Sequence, residues 1–472
     1  MRMNLLRRAL VLALCAALVM GVAAQGAGAE GVDLWLVTEE TAENGMNGAV
    51  RAQIDAFCQA NPEVSIRMDI LPNKEAERAE YLQELRQKIE SGAGPDLYLL
   101  PTGTVLTLDQ PLQYTYREID PLFPDVSAAM AAGSFADVSE YYRRDADLGV
   151  EALNTAVMDA GVLDGARYVL PLRYTVMALY AFDEKLPDAG ITPELLDQPV
   201  DAIMRQAVED GNVELARQVR SMGSSAFSNL PGSGEDALTA EQLADFLKDY
   251  QALIALLGGD NVYASRFDFF DFDAASAAPV YRGVIADALN FLAAARVSGQ
   301  SVSMHPLRTT AGDTLALVTY YGAVGSGCED PELAYEFLRQ FLTEDAQWEQ
   351  GRDMLNAEWP FTPLEGWPVR TVGSVRALWA GAQQSGKLPD LLPTDSDVPL
   401  VEMEPDVVRF PVKTGIAALE AQLNDAKNGN APTDADLTAL AEAFLKSYNR
   451  VKETLNQSST AGQRVFCPHA AG

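Results

Sequence analysis

Histidine and cysteine are scarce in this 472-residue chain, and that scarcity limits the chemistry it can run. A histidine-dependent triad would have to use His305 or His469, the only two present, and a multi-histidine metal site is nearly excluded; neither HExxH nor GxSxG occurs. Carboxylates are abundant, 67 Asp and Glu against 35 Lys and Arg, but no pair has a spacing that singles it out for glycan hydrolysis by paired acids. The densest group is Phe267 to Asp273, FDFFDFD. Asp268, Asp271 and Asp273 are oxygen ligands of the kind calcium takes, yet the Gly and the distal bidentate Glu of an EF-hand are missing. Rings interleaved with carboxylates also suit a sugar, because aromatic faces pair with the C–H faces of pyranoses and carboxylates accept from hydroxyls. Core or edge-strand packing is the commoner use of such a run. Trp359, Trp367 and Trp379 are further candidate sugar platforms, with burial in a core as the commoner alternative for each. No cofactor and no metal is expected.

The elements that must position these residues follow from periodicity. Val32 to Val37 reads as a short buried strand. Val50, Ile54, Phe57 and Cys58 recur on one face of a helix that Asn61-Pro62 ends. Val64, Ile66, Met68 and Ile70 alternate with Ser65, Arg67 and Asp69 as a second strand. Leu82, Leu85 and Ile89 stripe a second helix, closed by Ser91 to Pro95, and Asp96 to Leu100 is a third strand buried on both faces. The βαβαβ order predicts a parallel sheet with ligands beyond the carboxyl ends of its strands, at Thr38 to Glu40 and Thr102 to Thr104. Neither GxGxxG nor a P-loop follows the first strand, so a dinucleotide site is not expected. Residues 118 to 162 read as helical and loop-rich, with Glu118 to Leu122 as a surface turn.

Leu163 to Lys185 is the pivotal stretch. A turn at Gly165, a β-rich run Arg167 to Leu170, Pro171, and an apolar run Tyr174 to Phe182 predict two tandem strands with a change of sheet at the proline, which cannot donate to a ladder. Further on, Thr239 and Gln242 form a capping box opening a helix striped by Leu243, Phe246, Leu247, Tyr250, Ile254 and Leu257. Val284, Ala288 and Leu292 predict another helix. Thr314 to Val324 reads as a strand, and Asp330-Pro331-Glu332 starts a helix whose Ala334, Phe337, Leu338, Phe341 and Leu342 face a core. A last helix begins near Thr433, and 457–472 reads as a mobile tail.

Length implies two or three domains. Arg2, Arg7 and Arg8 before the apolar run Ala9 to Ala24, then Ala27-Gly28-Ala29, form a secretory leader over 1–29. Lipidation at Cys15 is disfavoured, because Leu14 stands where a small residue is expected. The net charge of −32 argues against nucleic acid or anionic membrane as partners. Removal of the leader leaves Cys58, Cys328 and Cys467, an odd number. Cys58 falls on a helix stripe, and a Cys328–Cys467 bridge is compatible with the sequence without being required by it.

Several blocks carry a resemblance. Phe57 to Leu100, with FCQANPEVSIRMDIL and SGAGPDLYLL, is one; GARYVLPLRYTVMALYAFDEKL with Pro187 and Gly190 is another; YYGAVGSGCEDPELAYEFLRQFLTEDAQ, from Tyr320 to Gln347, is a third; Glu365 to Arg370 is a weaker fourth. Together they resemble the family-one extracellular solute-binding proteins, the maltose-binding-like capture components of ABC importers. The family's usual Gly-x-x-Ala-Met strand is not found between Pro187 and Met304.

The resemblance implies an α/β, two-lobe, periplasmic-binding-protein-like fold (Venus-flytrap, type II) with hinge strands. Lobe one would hold 30–172 and 305–345, and lobe two 173–304 and 346–456. Crossings are expected at 171–174, 304–314 and near 345–365. It also implies a monomer outside the cytoplasm that takes a small-molecule ligand, a sugar or oligosaccharide, to the membrane subunits of an ABC permease, without catalysis. Candidate ligand contacts are Thr38, Glu39 and Thr102 at strand ends, Arg173 and Tyr174 at the crossing, Tyr320 and Tyr321 at the return, and Trp359 from lobe two. The competing readings are a secreted carboxylate-dependent glycan hydrolase and a binding component feeding a sensor.

Overall fold

The computed structural model describes residues 31–39, 46–72, 74–110, 113–221, 239–258, 278–285, 288, 291, 295, 298–343, 346–347, 366–370, 404–411 and 432–446. The βαβαβ start forms as expected: β1 (Val32–Glu39), α1 (Met46–Ala60), β2 (Val64–Leu71), α2 (Glu75–Glu90) and β3 (Leu97–Pro101). β1 lies between β2 and β3, parallel to both. Val50 and Phe57 are buried, as is the whole of β3. A hairpin that periodicity does not announce follows, β4 (Thr104–Gln110) against β5 (Gln113–Glu118). The stretch after it is not a surface turn: Ile119 and Leu122 are core residues, and the Asp120 carbonyl accepts from Arg78.

Asp164 and Gly165 both have positive φ, at 51° and 81°, and close a two-residue hairpin between β6 (Val162–Leu163) and β7 (Ala166–Arg167). The pivotal stretch then departs from expectation. One unbroken strand, β8 (Val169–Phe182), runs straight through Pro171. The proline is accommodated by its neighbour: β11 (Leu315–Val324) pairs antiparallel with β8 and shifts register between Val318 and Tyr320 and again between Tyr320 and Tyr321, opposite Arg173 and Pro171. A bulge there absorbs the position where Pro171 has no N–H to give. The change of partners comes later than the proline. Val169 to Val176 lies against β11, whereas Met177 to Phe182 lies between β9 (Val280–Val284) and β10 (Val302–Pro306). Val284 therefore ends a strand rather than belonging to the helix expected there; Ala288, Phe291 and Ala295 are helical and buried.

β11 is inserted between β8 and β3, antiparallel to both. Two late segments join this region: β12 (Trp367–Pro368) pairs with Tyr174 and Arg173, and β13 (Val407–Arg409) runs parallel to Leu315 to Leu317. Trp367 is buried there, in the same apolar cluster as β1, β3 and β11, so of the three tryptophans read as candidate platforms this one is a core residue. A second apolar cluster gathers α3 (Val200–Glu209), α4 (Val213–Ser221) and α5 (Ala240–Leu256) beneath Leu179, Ala181 and Val280, together with Leu437 and Ala441 of the last helix. The Thr239–Gln242 capping box is formed, and the stripe of α5 from Leu243 to Ile254 is buried. Asp330 caps α6 (Pro331–Arg339) by accepting from Leu333 N–H at 3.0 Å, and all five residues expected on its inner face are buried.

Two of the motif blocks read separately in the sequence pack on each other. Gly325 N–H donates to the Asp96 carbonyl at 2.8 Å, and a Cβ on Gly325 would lie 2.0 Å from the Pro95 carbonyl oxygen. Only glycine lets the turn after β11 approach the segment before β3 so closely.

Candidate functional site

The carboxyl ends of β1 and β3 meet the bulge of β11, and Thr38, Glu39, Thr102 and Tyr320 there are engaged in internal hydrogen bonds. Thr38 Oγ1 and Tyr320 Oη both donate to the Leu99 carbonyl, at 3.0 and 3.1 Å. Thr102 serves the bulge. Its N–H donates to Thr319 O at 3.0 Å and its hydroxyl to Val318 O at 2.8 Å, so the carbonyls turned out of the ladder by the register shift keep partners. Glu39, on the opposite face of β1 from Thr38, receives Arg78 of α2 bidentately, Nη1 to Oε1 at 2.5 Å and Nη2 to Oε2 at 3.0 Å. Both side chains are buried.

Arg173 and Tyr174 lie where β8 is flanked by β11 on one side and β12 on the other. Arg173 is fully buried, and loss of solvent alone pulls its guanidinium down to about 9. Burial likewise pushes the Tyr174 phenol above its ordinary range, offset in part by a hydrogen bond with Asn154. Tyr320 and Tyr321 are raised by the same cause, and a hydrogen bond with Thr38 acts against it at Tyr320. Tyr321 packs edge-on against Phe410 at 5.7 Å between centroids. Gly366, at φ 115°, is wedged under the crossing: a Cβ there would meet Thr319 Oγ1 at 2.4 Å and Tyr174 O at 2.7 Å.

Seven of the eight candidate contacts are thus brought together, around Leu99, the bulge and the crossing. Trp359 lies outside the described residues, as do 1–30, the FDFFDFD run, Trp379 and Cys467. Arg78 and Asn154 are the members of this assembly that reading the sequence missed, and Trp367, read there as a candidate platform, enters it as a core residue. Arg78 is an exposed-looking residue between Glu77 and Ala79, and only its distant partner Glu39 gives it meaning.

Among the described residues an arrangement resembling a triad lies elsewhere, on β10. His305 lies 2.9 Å from Asp197 through Nδ1 and 2.9 Å from Ser303 Oγ through Nε2. Ser303 Oγ, however, also donates to Asp183 Oδ1 at 2.6 Å, so its proton is engaged by a carboxylate other than the one beside His305. Among the described residues no group of three or more His, Cys, Asp or Glu could hold a metal ion.

No family model matches the chain, and no curated protein matches it. Solved structures do. The sugar-binding protein MalE of Xanthomonas citri is similar over 90% of this chain and 100% of its own, at 12% identity and a TM-score of 0.52. A periplasmic oligogalacturonide binding protein of Yersinia enterocolitica is similar over 91% and 100%, at 14% identity and a TM-score of 0.50. The chain has their two-lobe α/β binding-protein fold.

Proposed function

We propose, from that fold, that this chain is an extracytoplasmic solute-binding protein of the family-one type, which captures a small solute between two lobes and delivers it to the membrane subunits of an ABC importer. The observation that carries the reading is β8, a single strand whose two halves are hydrogen-bonded to different strands, β11 and β12 before Met177 and β9 and β10 after it. Two packing units joined through such a strand can open and close on a ligand with differential affinity for the closed state. In this reading the hinge of β8 lies between Val176 and Met177. The late segments at 366–370 and 404–411 side with the first unit.

The ligand class follows that of the two similar structures, a sugar-binding and an oligogalacturonide binding protein: a sugar or an oligosaccharide. Thr38, Glu39, Thr102, Arg173, Tyr174, Tyr320 and Tyr321 then hold the floor on which the ligand rests, and Trp359 supplies an aromatic face from the other lobe. Capture needs no bond-making. A leader over 1–29 would route the chain out of the cytoplasm, and no helix among the described residues is long and apolar enough to cross a membrane.

Calorimetry and thermal unfolding over a panel of mono- and oligosaccharides, with peptides as controls, test the proposal. The expected result is a saturable rise in melting temperature with one sugar class and no turnover. Cleavage of a glycan, or indifference to every sugar, would overturn it. Trp359→Ala should weaken sugar binding at least about tenfold while leaving the melting temperature unchanged.

A further inference from the structure

On the outer face of the first sheet, away from the strand ends described above, Trp35, Arg67, Asp69, Tyr81, Lys88 and Ala93 line a concavity of about 440 Å³. That volume is in the range of small-solute sites. Its wall is the half-buried indole of Trp35, and two cations converge on that ring: the Arg67 guanidinium at 4.6 Å and the Lys88 ammonium at 5.5 Å from its centroid. The two charges consequently lie within about 10 Å of each other and repel.

The carboxylate beside them does not balance both. Asp69 Oδ2 already accepts from Trp35 Nε1 at 2.9 Å and from Tyr81 Oη at 3.3 Å. Its Oδ1 meets only Arg67 Nε, at 3.7 Å, beyond hydrogen-bond length. Among the described residues neither the terminal nitrogens of Arg67 nor the ammonium of Lys88 has a hydrogen-bonded partner. A guanidinium fork and an ammonium thus sit unspent over one aromatic wall, in a protein whose net charge is −32. An oxyanion placed there gains two charge-assisted contacts and relieves the repulsion between the cations.

We propose that this concavity is a second binding site, separate from the interlobe cleft, for a small solute bearing an oxyanion, with phosphate as the simplest occupant. Trp35 is its built-in reporter. Titration of the full chain with inorganic phosphate, and in a second arm with glucose 6-phosphate against glucose, is followed by tryptophan fluorescence and by calorimetry at constant ionic strength. A saturable response to phosphate and to the sugar phosphate is expected. It should weaken at least about tenfold in Arg67→Gln/Lys88→Gln, whose melting temperature should stay that of the parent because both side chains are exposed. Trp35→Phe should abolish the fluorescence change while calorimetry still registers binding. An unaltered response in the double variant, a response that sodium chloride reproduces, or no saturation in the parent would overturn the proposal, as would a response to glucose 6-phosphate that glucose matches while inorganic phosphate gives none.

Discussion

Along one face of β1 two arginines meet carboxylates in opposite ways. At the carboxyl end of the strand, Arg78 spends all five of its donors: Nη1 on Glu39 and the Pro72 carbonyl, Nη2 on Glu39 and the Asp120 carbonyl, Nε on Asp120 again. The pair is buried and satisfied. Beside Trp35, at the middle of β1, Arg67 of the neighbouring β2 reaches Asp69 only at 3.7 Å, is 65% exposed, and leaves its fork to solvent over the indole. The same helix, α2, supplies Arg78 to the first and Tyr81 and Lys88 to the second. Charge that is spent fixes backbone, here the segment around Asp120 that covers the strand ends; charge left unspent is available to a visitor.

Substitution of the buried arginine should break this contrast most visibly. Arg78→Ala removes the guanidinium paired with the buried Glu39 and should cost about 3–5 kcal/mol in urea unfolding. Arg78→Lys should recover only part of that, since an ammonium cannot reproduce the fork. Alkaline titration sharpens the contrast next. The phenols of Tyr98, Tyr174, Tyr320 and Tyr321 are all held above their ordinary value of 10.0 by burial. The unfolded chain loses these protons first, so their contribution is intact below pH 10 and drains as pH rises beyond it. Absorbance at 295 nm should show these tyrosinates appearing together with unfolding rather than ahead of it. Tyr320→Phe should cost about 1 kcal/mol, because the Leu99 carbonyl keeps Thr38 as a donor. Smallest of all, Arg67→Ala should change stability by less than about 1 kcal/mol. A cost there equal to that of Arg78→Ala would erase the distinction.

Much of the first unit was legible because local and global signals agree in it. The alternation of β2, the apolar run of β3 and the Asp330-Pro331 start of α6 each name their own structure. β8 was not legible for a reason that is not local: whether Pro171 breaks a strand depends on whether the neighbouring strand bulges, and β11 lies about 150 residues away. The rule about strand ends points to Thr38, Glu39 and Thr102, but what each one touches depends on Leu99, Arg78 and Val318, which come from other elements. The Trp35 concavity escaped because Arg67 and Asp69 read there only as the exposed half of an alternating strand.

The placement of β11 has a consequence for how the chain assembles in time. β3 and β8 are both made before it, yet neither pairs with the other, and the strand that joins them arrives only at Leu315 to Val324. Loop closures of 140 residues or more to β8 and more than 210 to β3 precede the gain from those ladders. The nascent chain thus carries two open sheet edges from the end of β8 at Phe182 until β11 begins at Leu315, and the first unit cannot lock until about two thirds of the polypeptide exists. A chain that stays unlocked so long is one that can still be threaded through a narrow pore, and also one that needs its edges guarded on the way.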